Sequence, residues 1–389
     1  MIIFNMYRPR PEPFCKHSSV ASFVLVAALL SISGCGFFGK DRKLPVLAEI
    51  RASSIAIEWS ANAGKPNLSM FAPAIGEKII YTAAHDGTIN ILADEGGKNV
   101  SRIDAKAKLS GGVGVGEETV VVANILGEVL AFDPAGRALW KTALAGEILA
   151  PPIVNKGNVI VRTADGRMFA LNRADGKRKW VFTRAAPPLT LRTNASVTIS
   201  RGVIYAGFPG GKIVAVELET GRPVWEATIS LPRGTTELER IADVAGLPIV
   251  DESRVCAAVY QGRTGCVESL SGNVLWARDI SSADGVAIDA KYLYVADTDG
   301  NLSALDKSSG ATVWKQDKLQ RRDLGTPIVI KGRVLTGDRL GFVHALSAES
   351  GELTGRAATD GSRVVSLLAA GDRAIVQTVK GGIFAIAVK

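Results

Sequence analysis

The chain has 389 residues, 47% hydrophobic and 22% charged, an ordinary composition for a globular protein. Its 41 glycines indicate many tight turns rather than long helices. The net charge of +8 is spread along the chain without a Lys/Arg block, so it indicates a solvated surface and argues against nucleic-acid binding.

Residues 1–34 have the pattern of a lipoprotein signal peptide. Basic residues, among them Arg8 and Arg10, precede an apolar run of 13 residues, Val20–Ile32. This run is shorter than the roughly 20 residues of a membrane-spanning helix and suits the apolar core of a signal peptide. It leads into Ile32-Ser33-Gly34-Cys35, an aliphatic residue and two small residues before a cysteine.

That tetrapeptide resembles the bacterial lipobox, which implies that Cys35 is lipidated and becomes the mature N-terminus. Several acyl chains hold a protein firmly, whereas a single one gives marginal binding. Residues 35–46 would then be a lipidated N-terminus and tether. Gly36, rather than aspartate, follows the cysteine and implies the outer membrane, with the protein facing the periplasm. The alternative is an ordinary signal peptide with an incidental cysteine.

One pattern recurs through the rest of the chain: a glycine, a short alternating apolar run with alanine, a second glycine and then a tryptophan. Clear copies are GRMFALNRADGKRKW from Gly166, GKIVAVELETGRPVW from Gly211, GRTGCVESLSGNVLW from Gly262 and GNLSALDKSSGATVW from Gly300. A copy one residue shorter starts at Gly127, and weaker copies start at Gly87, Gly341 and Gly381. The period of about 42 residues is that of a four-stranded propeller blade.

The repeat predicts an all-β fold over residues 47–389, an eight-bladed β-propeller with four-stranded antiparallel blades. Five of the six tryptophans occupy the same repeat position, and the sixth, Trp59, lies before the first repeat. The eighth copy ends at Lys389 before reaching its outer strand. We therefore expect the segment around Trp59 to supply that strand and close the ring, which removes open sheet edges.

Cys256 and Cys266 flank the turn at Gln261-Gly262 in the fifth repeat. A bulged hairpin turn there places the two cysteines opposite each other. In an oxidising periplasm this arrangement predicts a disulfide. The alternative is a pair of small buried thiols.

The motif A-x-[DN]-x-x-x-G-x-x-x-W, as in Ala304 to Trp314, resembles the tryptophan-docking repeat of quinoprotein propellers. Within that superfamily the chain resembles the BamB family of outer-membrane β-barrel assembly lipoproteins over residues 35–389. Two stretches carry the closer likeness: PPLTLRTNA (187–195) and GTTELERIADV (234–244). The second lies in an interval about nine residues longer than the mean repeat, which predicts a surface loop with a helical turn.

This resemblance implies a non-catalytic scaffold that binds a POTRA domain of BamA, and through it the BAM complex. The contact residues it implies are Leu189, Leu191, Arg192 and Asp243. The family's second acidic position is Ala245 here, so part of an acidic contact is absent. Guidance of unfolded outer-membrane proteins by exposed strand edges is a further hypothesis.

The residues themselves leave alternatives open at these positions. Exposed leucines beside an arginine suit an interface anchor, but Leu189 and Leu191 could instead tuck under a blade as satellite core. Asp243 could be a turn or helix cap rather than a contact.

Enzymatic function is the main rival, because quinone-dependent dehydrogenases share the repeat. Those enzymes carry a vicinal Cys-Cys pair and long insertions over the cofactor, and neither occurs in this sequence. The isolated histidines, such as His344, have no metal-ligand spacing, and we expect no cofactor, metal or catalytic residue. A small-ligand or quinone-binding periplasmic propeller remains the alternative function.

Overall fold

The computed structural model describes residues 44–389 except 51, 65–70 and 186. The predicted signal peptide and Cys35 lie outside the described residues. The described residues form eight four-stranded antiparallel sheets, and in seven of them the four strands follow one another in sequence. These seven sheets are blades 1 to 7.

The strands of blades 1 to 4 have the following bounds: β2 (Ala74–Ile75), β3 (Ile79–Ala83), β4 (Thr88–Ala93), β5 (Asn99–Asp104); β6 (Leu109–Gly116), β7 (Thr119–Asn124), β8 (Glu128–Phe132), β9 (Ala138–Ala143); β10 (Ile153–Asn155), β11 (Asn158–Arg162), β12 (Arg167–Asn172), β13 (Arg178–Thr183); β14 (Thr198–Ser200), β15 (Val203–Phe208), β16 (Lys212–Glu217), β17 (Pro223–Thr228).

Blades 5 to 7 are built from β18 (Ile249–Val250), β19 (Arg254–Ala258), β20 (Thr264–Glu268), β21 (Val274–Arg278); β22 (Val286–Ile288), β23 (Tyr292–Ala296), β24 (Leu302–Asp306), β25 (Thr312–Gln316); β26 (Ile328–Ile330), β27 (Arg333–Gly337), β28 (Phe342–Ser347), β29 (Leu353–Ala358). Blade 8 combines β30 (Val364–Ala370), β31 (Arg373–Thr378) and β32 (Gly382–Val388) with β1 (Ile55–Asn62).

Blade 8 closes the ring as the position of Trp59 predicts. Its strand order is β1-β32-β31-β30, so the first strand of the chain lies outside the last one. The β1–β32 ladder runs from Ile55 opposite Val388 to Asn62 opposite Gly382, with Trp59 opposite Ala385. The predicted fold class, an eight-bladed propeller closed by the strand bearing Trp59, is confirmed.

The tryptophans join each blade to the next. Within a blade, an outer-strand tryptophan lies opposite a small residue of the third strand, as Trp314 lies opposite Ala304. Its indole N–H donates to a carbonyl of the following blade, at 2.9 Å from Trp314 to Ala348. A Cβ added to Gly351 in that blade would lie 2.6 Å from the Trp314 ring, so only glycine lets the indole come so close.

The same contact recurs at five other junctions, with pairs that each combine an indole and a glycine at positive φ: Trp59 and Gly97, Trp140 and Gly176, Trp180 and Gly221, Trp225 and Gly272, Trp276 and Gly310. At each of these junctions the indole N–H also donates to a backbone carbonyl of the following blade. Six of the eight junctions are therefore built in one way.

The Asp or Asn of the repeat shapes the turn that holds this glycine. The Asp306 carboxylate accepts hydrogen bonds from the N–H groups of Ser308 and Ser309, just before Gly310. Hydrogen bonds from the Ser308 and Ser309 hydroxyls, and then from their N–H groups, lower the pKa of Asp306 to about 2. This is the local turn geometry that aspartate favours, and it presents Gly310 to Trp276 of the preceding blade.

The two junctions without tryptophan are filled differently. Between blades 1 and 2, Ile103 packs near Gly136. Between blades 7 and 8, Gly355 occupies the tryptophan position, and a Cβ there would lie 2.8 Å from the Ser54 hydroxyl. The Ser54 N–H donates to the Thr354 carbonyl at 2.9 Å, so the incoming N-terminal chain takes the place of an indole.

The chain before β1 lies along the outer edge of blade 7. Arg356 donates to the Ala48 carbonyl at 3.2 Å and Arg322 donates to the Pro45 carbonyl at 3.3 Å. Arg322 also forms a buried ion pair with Asp338 at 3.1 Å. Leu47 packs against the apolar cluster of blades 6 and 7. These contacts fix the chain from Pro45 onward to the propeller.

Strand direction divides the ring into two faces. The connections between blades and the turns between second and third strands lie on one face, which we call the connection face. The remaining turns lie on the opposite face. Within the part of the chain that the structure describes, no helix has the length and apolarity needed to cross a membrane.

Candidate functional site

The two longest blade connections lie side by side on the connection face. Residues 184–197 join blade 3 to blade 4, and residues 229–248 join blade 4 to blade 5. They contain the two stretches on which the BamB resemblance depends. In their described residues neither contains a helix or a strand, so their positions depend on side-chain contacts and on isolated backbone contacts such as the bridge between Pro209 and Asp243.

The first connection is fixed at both of its ends. Arg184 forms a two-pronged pair with Glu226 of β17, with both N–O distances 3.0 Å. The hydrogen bond from Arg184, with a second from Lys212, lowers the pKa of Glu226 to about 2. At the other end, the Ser196 hydroxyl donates to the Pro151 carbonyl at 2.8 Å. The leucines and arginine between these points are therefore held at defined places.

Asp243 joins the two connections. Its carboxylate accepts a hydrogen bond from the Leu191 N–H at 2.7 Å and another from the Gly210 N–H. The Asp243 carbonyl accepts from the Tyr260 N–H at 2.9 Å. Asp243 is only 3% exposed, and burial raises its pKa. Asp243 thus ties together chain from blades 3, 4 and 5, the first two through its carboxylate and the third through its backbone carbonyl.

The remaining predicted contact residues differ in exposure. Leu189 is 43% exposed, whereas Leu191 is half-buried and lines a cavity beneath the first connection. Arg192 is exposed and pairs with Glu147 of the preceding blade connection at 2.6 Å. This hydrogen bond raises the pKa of Arg192. Leu189 and Arg192 can therefore reach a partner directly.

The tip of the second connection is a hydrogen-bonded turn rather than a helix. The Thr236 hydroxyl accepts from the Glu239 N–H at 3.2 Å, and the Glu239 carboxylate accepts from the Thr236 N–H at 3.1 Å. This reciprocal pair is a capping box. Hydrogen bonds from the backbone of Thr236 and Thr235 lower the pKa of Glu239. A Cβ on Gly234 would lie 2.3 Å from the Glu239 Cβ, which explains the glycine.

A second contact holds this turn against blade 5. The Gln261 amide nitrogen, when it faces the turn, donates to the carbonyls of Leu238, Glu239 and Ile241, each at 3.1 Å. The turn therefore presents Leu238, which is 67% exposed, at a fixed position. Leu231 of the same connection is 71% exposed. Apolar side chains are thus offered to solvent on a well-ordered support.

Several residues of this site carry signals that the sequence analysis did not use. The Thr236–Glu239 spacing is a readable capping-box pattern. Glu147 and Gln261 could not be found in this way, because the partner of Glu147 is 45 residues away in the sequence and those of Gln261 are 20 to 23 residues away. Asp243, predicted as a contact, is buried, and its carboxylate accepts a hydrogen bond from the Leu191 N–H. Ala245, at the missing acidic position, is 7% exposed.

Cys256, Cys266 and His344 are buried below the surface. Cys256 lies opposite Cys266 in the register of β19 and β20, as the turn predicts, and the structure joins them as a disulfide. His344 is buried, with its ring 3.0 Å from the Asp338 carboxylate, and burial lowers its pKa. Among the described residues no group of three or more His, Cys, Asp or Glu could hold a metal ion.

Fold and site together define a class: an eight-bladed, tryptophan-docked propeller of the quinoprotein-like type with two elaborated blade connections on one face. A family model described as outer membrane protein assembly factor BamB matches residues 85–316 and 299–389. The chain is 44% identical to outer membrane protein assembly factor BamB of Nitrosomonas eutropha, over 85% of this chain and 81% of that protein. The chain belongs to the BamB family.

Solved structures agree with this assignment. The crystal structure of BamB from Moraxella catarrhalis superposes with a TM-score of 0.79 at 25% identity, covering 86% of this chain and 99% of that one. A quinohemoprotein alcohol dehydrogenase from Comamonas testosteroni matches with a TM-score of 0.69 at 14% identity, covering 86% of this chain and 77% of that enzyme. The second likeness concerns the fold alone.

Replacing Asp243 with alanine removes the acceptor for two buried N–H groups, each of which costs about 1–3 kcal/mol when left unsatisfied. We expect Asp243→Ala to lower the free energy of unfolding by about that amount in urea titrations. Amide exchange over residues 187–195 should also become faster. The control is Asp372→Ala, which removes an exposed carboxylate paired with Lys331 on the opposite face. Unchanged exchange over 187–195 in Asp243→Ala would contradict the assigned role.

Proposed function

We propose that this protein is a non-catalytic component of the BAM complex that binds a POTRA domain of BamA and so supports assembly of outer-membrane β-barrel proteins. The observation that carries the proposal is the pair of family-specific connections, which are locked together by Asp243 on one face of the ring. Membership of the BamB family indicates the process, which is outer-membrane protein assembly. The ordered connections provide a surface to which a partner can bind.

The surface offers the features of an interface anchor. Leu189 and Leu231 expose apolar side chains, one in each connection, and Arg192 offers a guanidinium three residues after Leu189 in the sequence. Arginine is over-represented among residues that contribute most to binding, and exposed apolar side chains accompanied by charged residues suit a protein partner. The pairing of Arg192 with Glu147 holds the guanidinium in one place without burying it.

Order in the free protein should contribute to affinity. Binding costs conformational entropy for every loop and side chain that becomes fixed, and a surface that is already fixed avoids this cost. Arg184, Asp243 and Gln261 each hold part of the two connections before a partner arrives. The carboxyl group of Asp243 thus acts on binding by positioning Leu191.

We further propose that Cys35 carries the lipid anchor and that the contacts made from Pro45 onward attach the anchored chain to blade 7. Arg322, which holds the Pro45 carbonyl, lies in the connection between blades 6 and 7 on the connection face. The ten residues from Cys35 to Leu44 span at most about 35 Å. Pro45 thus lies on the same face of the ring as the two long connections.

The anchor is tested by Cys35→Ser, which removes the sulfur that would be lipidated. Residues 1–34 are replaced by a signal peptide that is cleaved without a cysteine, so that the apolar run Val20–Ile32 does not remain attached. We expect the variant to move from the membrane pellet to the soluble periplasmic fraction after cell fractionation, with an unchanged melting temperature. Retention in the membrane pellet at the wild-type level, in cells lacking BamA as well, would contradict lipid anchoring.

Partner binding is tested by the triple change of Leu189, Leu191 and Arg192 to alanine. We expect co-purification with BamA from detergent-solubilised envelopes to be lost, because the exposed residues Leu189 and Arg192 and the half-buried Leu191 are removed together. The control is Leu270→Ala, which removes an 81% exposed leucine of the opposite face. Circular dichroism should report an intact fold for both variants. Co-purification of the triple variant at wild-type yield would contradict the assigned surface.

A further inference from the structure

A cavity of about 160 Å³ lies under the first connection, between blades 3 and 4, and Arg162 lines it. Leu191, Arg192 and Asp243 line it as well, so it opens within the proposed partner surface. Arg162 is the last residue of β11, and its side chain reaches across to blade 4. There its guanidinium lies 4.8 Å from the centre of the Phe208 ring.

Arg162 differs from the other cation of the cavity in having no acidic partner. Its guanidinium donates to the Gly207 carbonyl and, at 3.5 Å, to the Ala195 carbonyl. Among the described residues no carboxylate lies within ion-pair distance of it. Arg192, in contrast, has Glu147. Loss of hydration lowers the pKa of Arg162 to about 10, so the group is still charged at neutral pH.

Asp243 lines the same cavity, but its carboxylate is not within ion-pair distance of Arg162. It is engaged instead by the N–H groups of Leu191 and Gly210. A guanidinium binds a carboxylate through two parallel hydrogen bonds when one is within reach. Arg162 is half-buried, and no described residue supplies such a carboxylate.

The size and lining of the cavity limit what that anion can be. Liquid water takes about 30 Å³ per molecule, so the cavity has room for roughly five waters or one short side chain. Thr163, Thr190 and Leu191 also line it, and the Thr163 hydroxyl is already bonded to the Asp165 carboxylate. A carboxylate on a short apolar stem matches a guanidinium beside an apolar wall.

We propose that the cavity receives an aspartate or glutamate side chain of the partner and that Arg162 is the residue that binds its carboxylate. This inference rests on the proposed function, since the acidic side chain would come from the periplasmic POTRA region of BamA. Arg162 is thus a binding residue at the floor of the surface, below Leu191 and Arg192. Its position in a β-strand gives it a rigid support.

The test measures the affinity of the purified full-length chain for the purified periplasmic domain of BamA from the same organism by isothermal titration calorimetry. Arg162→Gln keeps much of the side-chain volume and removes the charge, and we expect Kd to rise at least tenfold. Arg162→Lys keeps the charge without the forked geometry, and its Kd should lie between the values for Arg162→Gln and the wild type. The melting temperature reports whether each variant is folded.

Arg254→Gln is the matched control. Arg254 is also a half-buried arginine that donates to a carbonyl, that of Lys307 at 3.0 Å, but it lies on the opposite face. Its Kd should stay within twofold of the wild-type value. Wild-type binding with an equal Kd for Arg162→Gln would overturn the inference and leave the proposed function standing. Failure of the wild type to bind would overturn both.

A double-mutant cycle identifies the source of the carboxylate. Each acidic residue of the POTRA region is changed to its amide and measured against wild type and Arg162→Gln. For one acidic residue, the change to the amide should weaken binding to the wild type. The same change should weaken binding to Arg162→Gln no further, because the effects of mutating two contacting residues are not additive. Additive losses for every acid would overturn the inference. The inference would also be overturned if phosphate or acetate raised the melting temperature only when Arg162 was present, while the Kd for BamA did not depend on Arg162.

Discussion

The contact between an indole ring and a glycine of the next blade is the interaction on which the structure depends. Each sheet buries its faces only against its neighbours, and the apolar clusters accordingly span two blades, as Ile160 and Met168 of blade 3 pack with Ile204 and Val214 of blade 4. The indole covers the outer end of such a cluster and its N–H satisfies a carbonyl there. Repetition of one small contact therefore sets the angle between successive sheets.

One of the two junctions without a tryptophan has a second structural role. At the junction of blades 7 and 8, Gly355 leaves room for Ser54, and the N-terminal chain runs along β29 before it enters blade 8. Ring closure and attachment of the N-terminal segment are thus one structural feature. A ring shut in this way gives the two long connections a fixed support.

The sequence predicts the fold well because the fold is periodic. Glycine and tryptophan spacing defines the blades, the truncated last repeat points to Trp59, and the turn at Gln261 places Cys256 opposite Cys266. Nothing in those patterns concerns the blade connections. The resemblance to a family identifies Asp243 and Leu191 as positions of interest, but it does not reveal that one holds the other.

Such contacts join residues that are far apart in the sequence and outside the repeat. The Asp243–Leu191 hydrogen bond spans 52 residues, and the Arg162 side chain reaches a carbonyl 45 residues away. The repeat period assigns both residues to the connection face, but it does not predict these hydrogen bonds. Which carboxylate is buried, and which guanidinium lacks a counter-ion, depends on how the two connections fold back over blades 3 to 5.

A matched pair of glycine substitutions tests the tryptophan contact most directly. Gly310 (φ +71°) lies against Trp276, where a Cβ would be 2.4 Å from the ring, whereas Gly332 (φ +68°) has nothing within 4 Å of such a Cβ. Alanine at either position bears the same left-handed backbone cost of about 1–2 kcal/mol. In urea unfolding, Gly310→Ala should lose about 1–3 kcal/mol more than Gly332→Ala, because it also overpacks the junction. Equal losses would contradict the account.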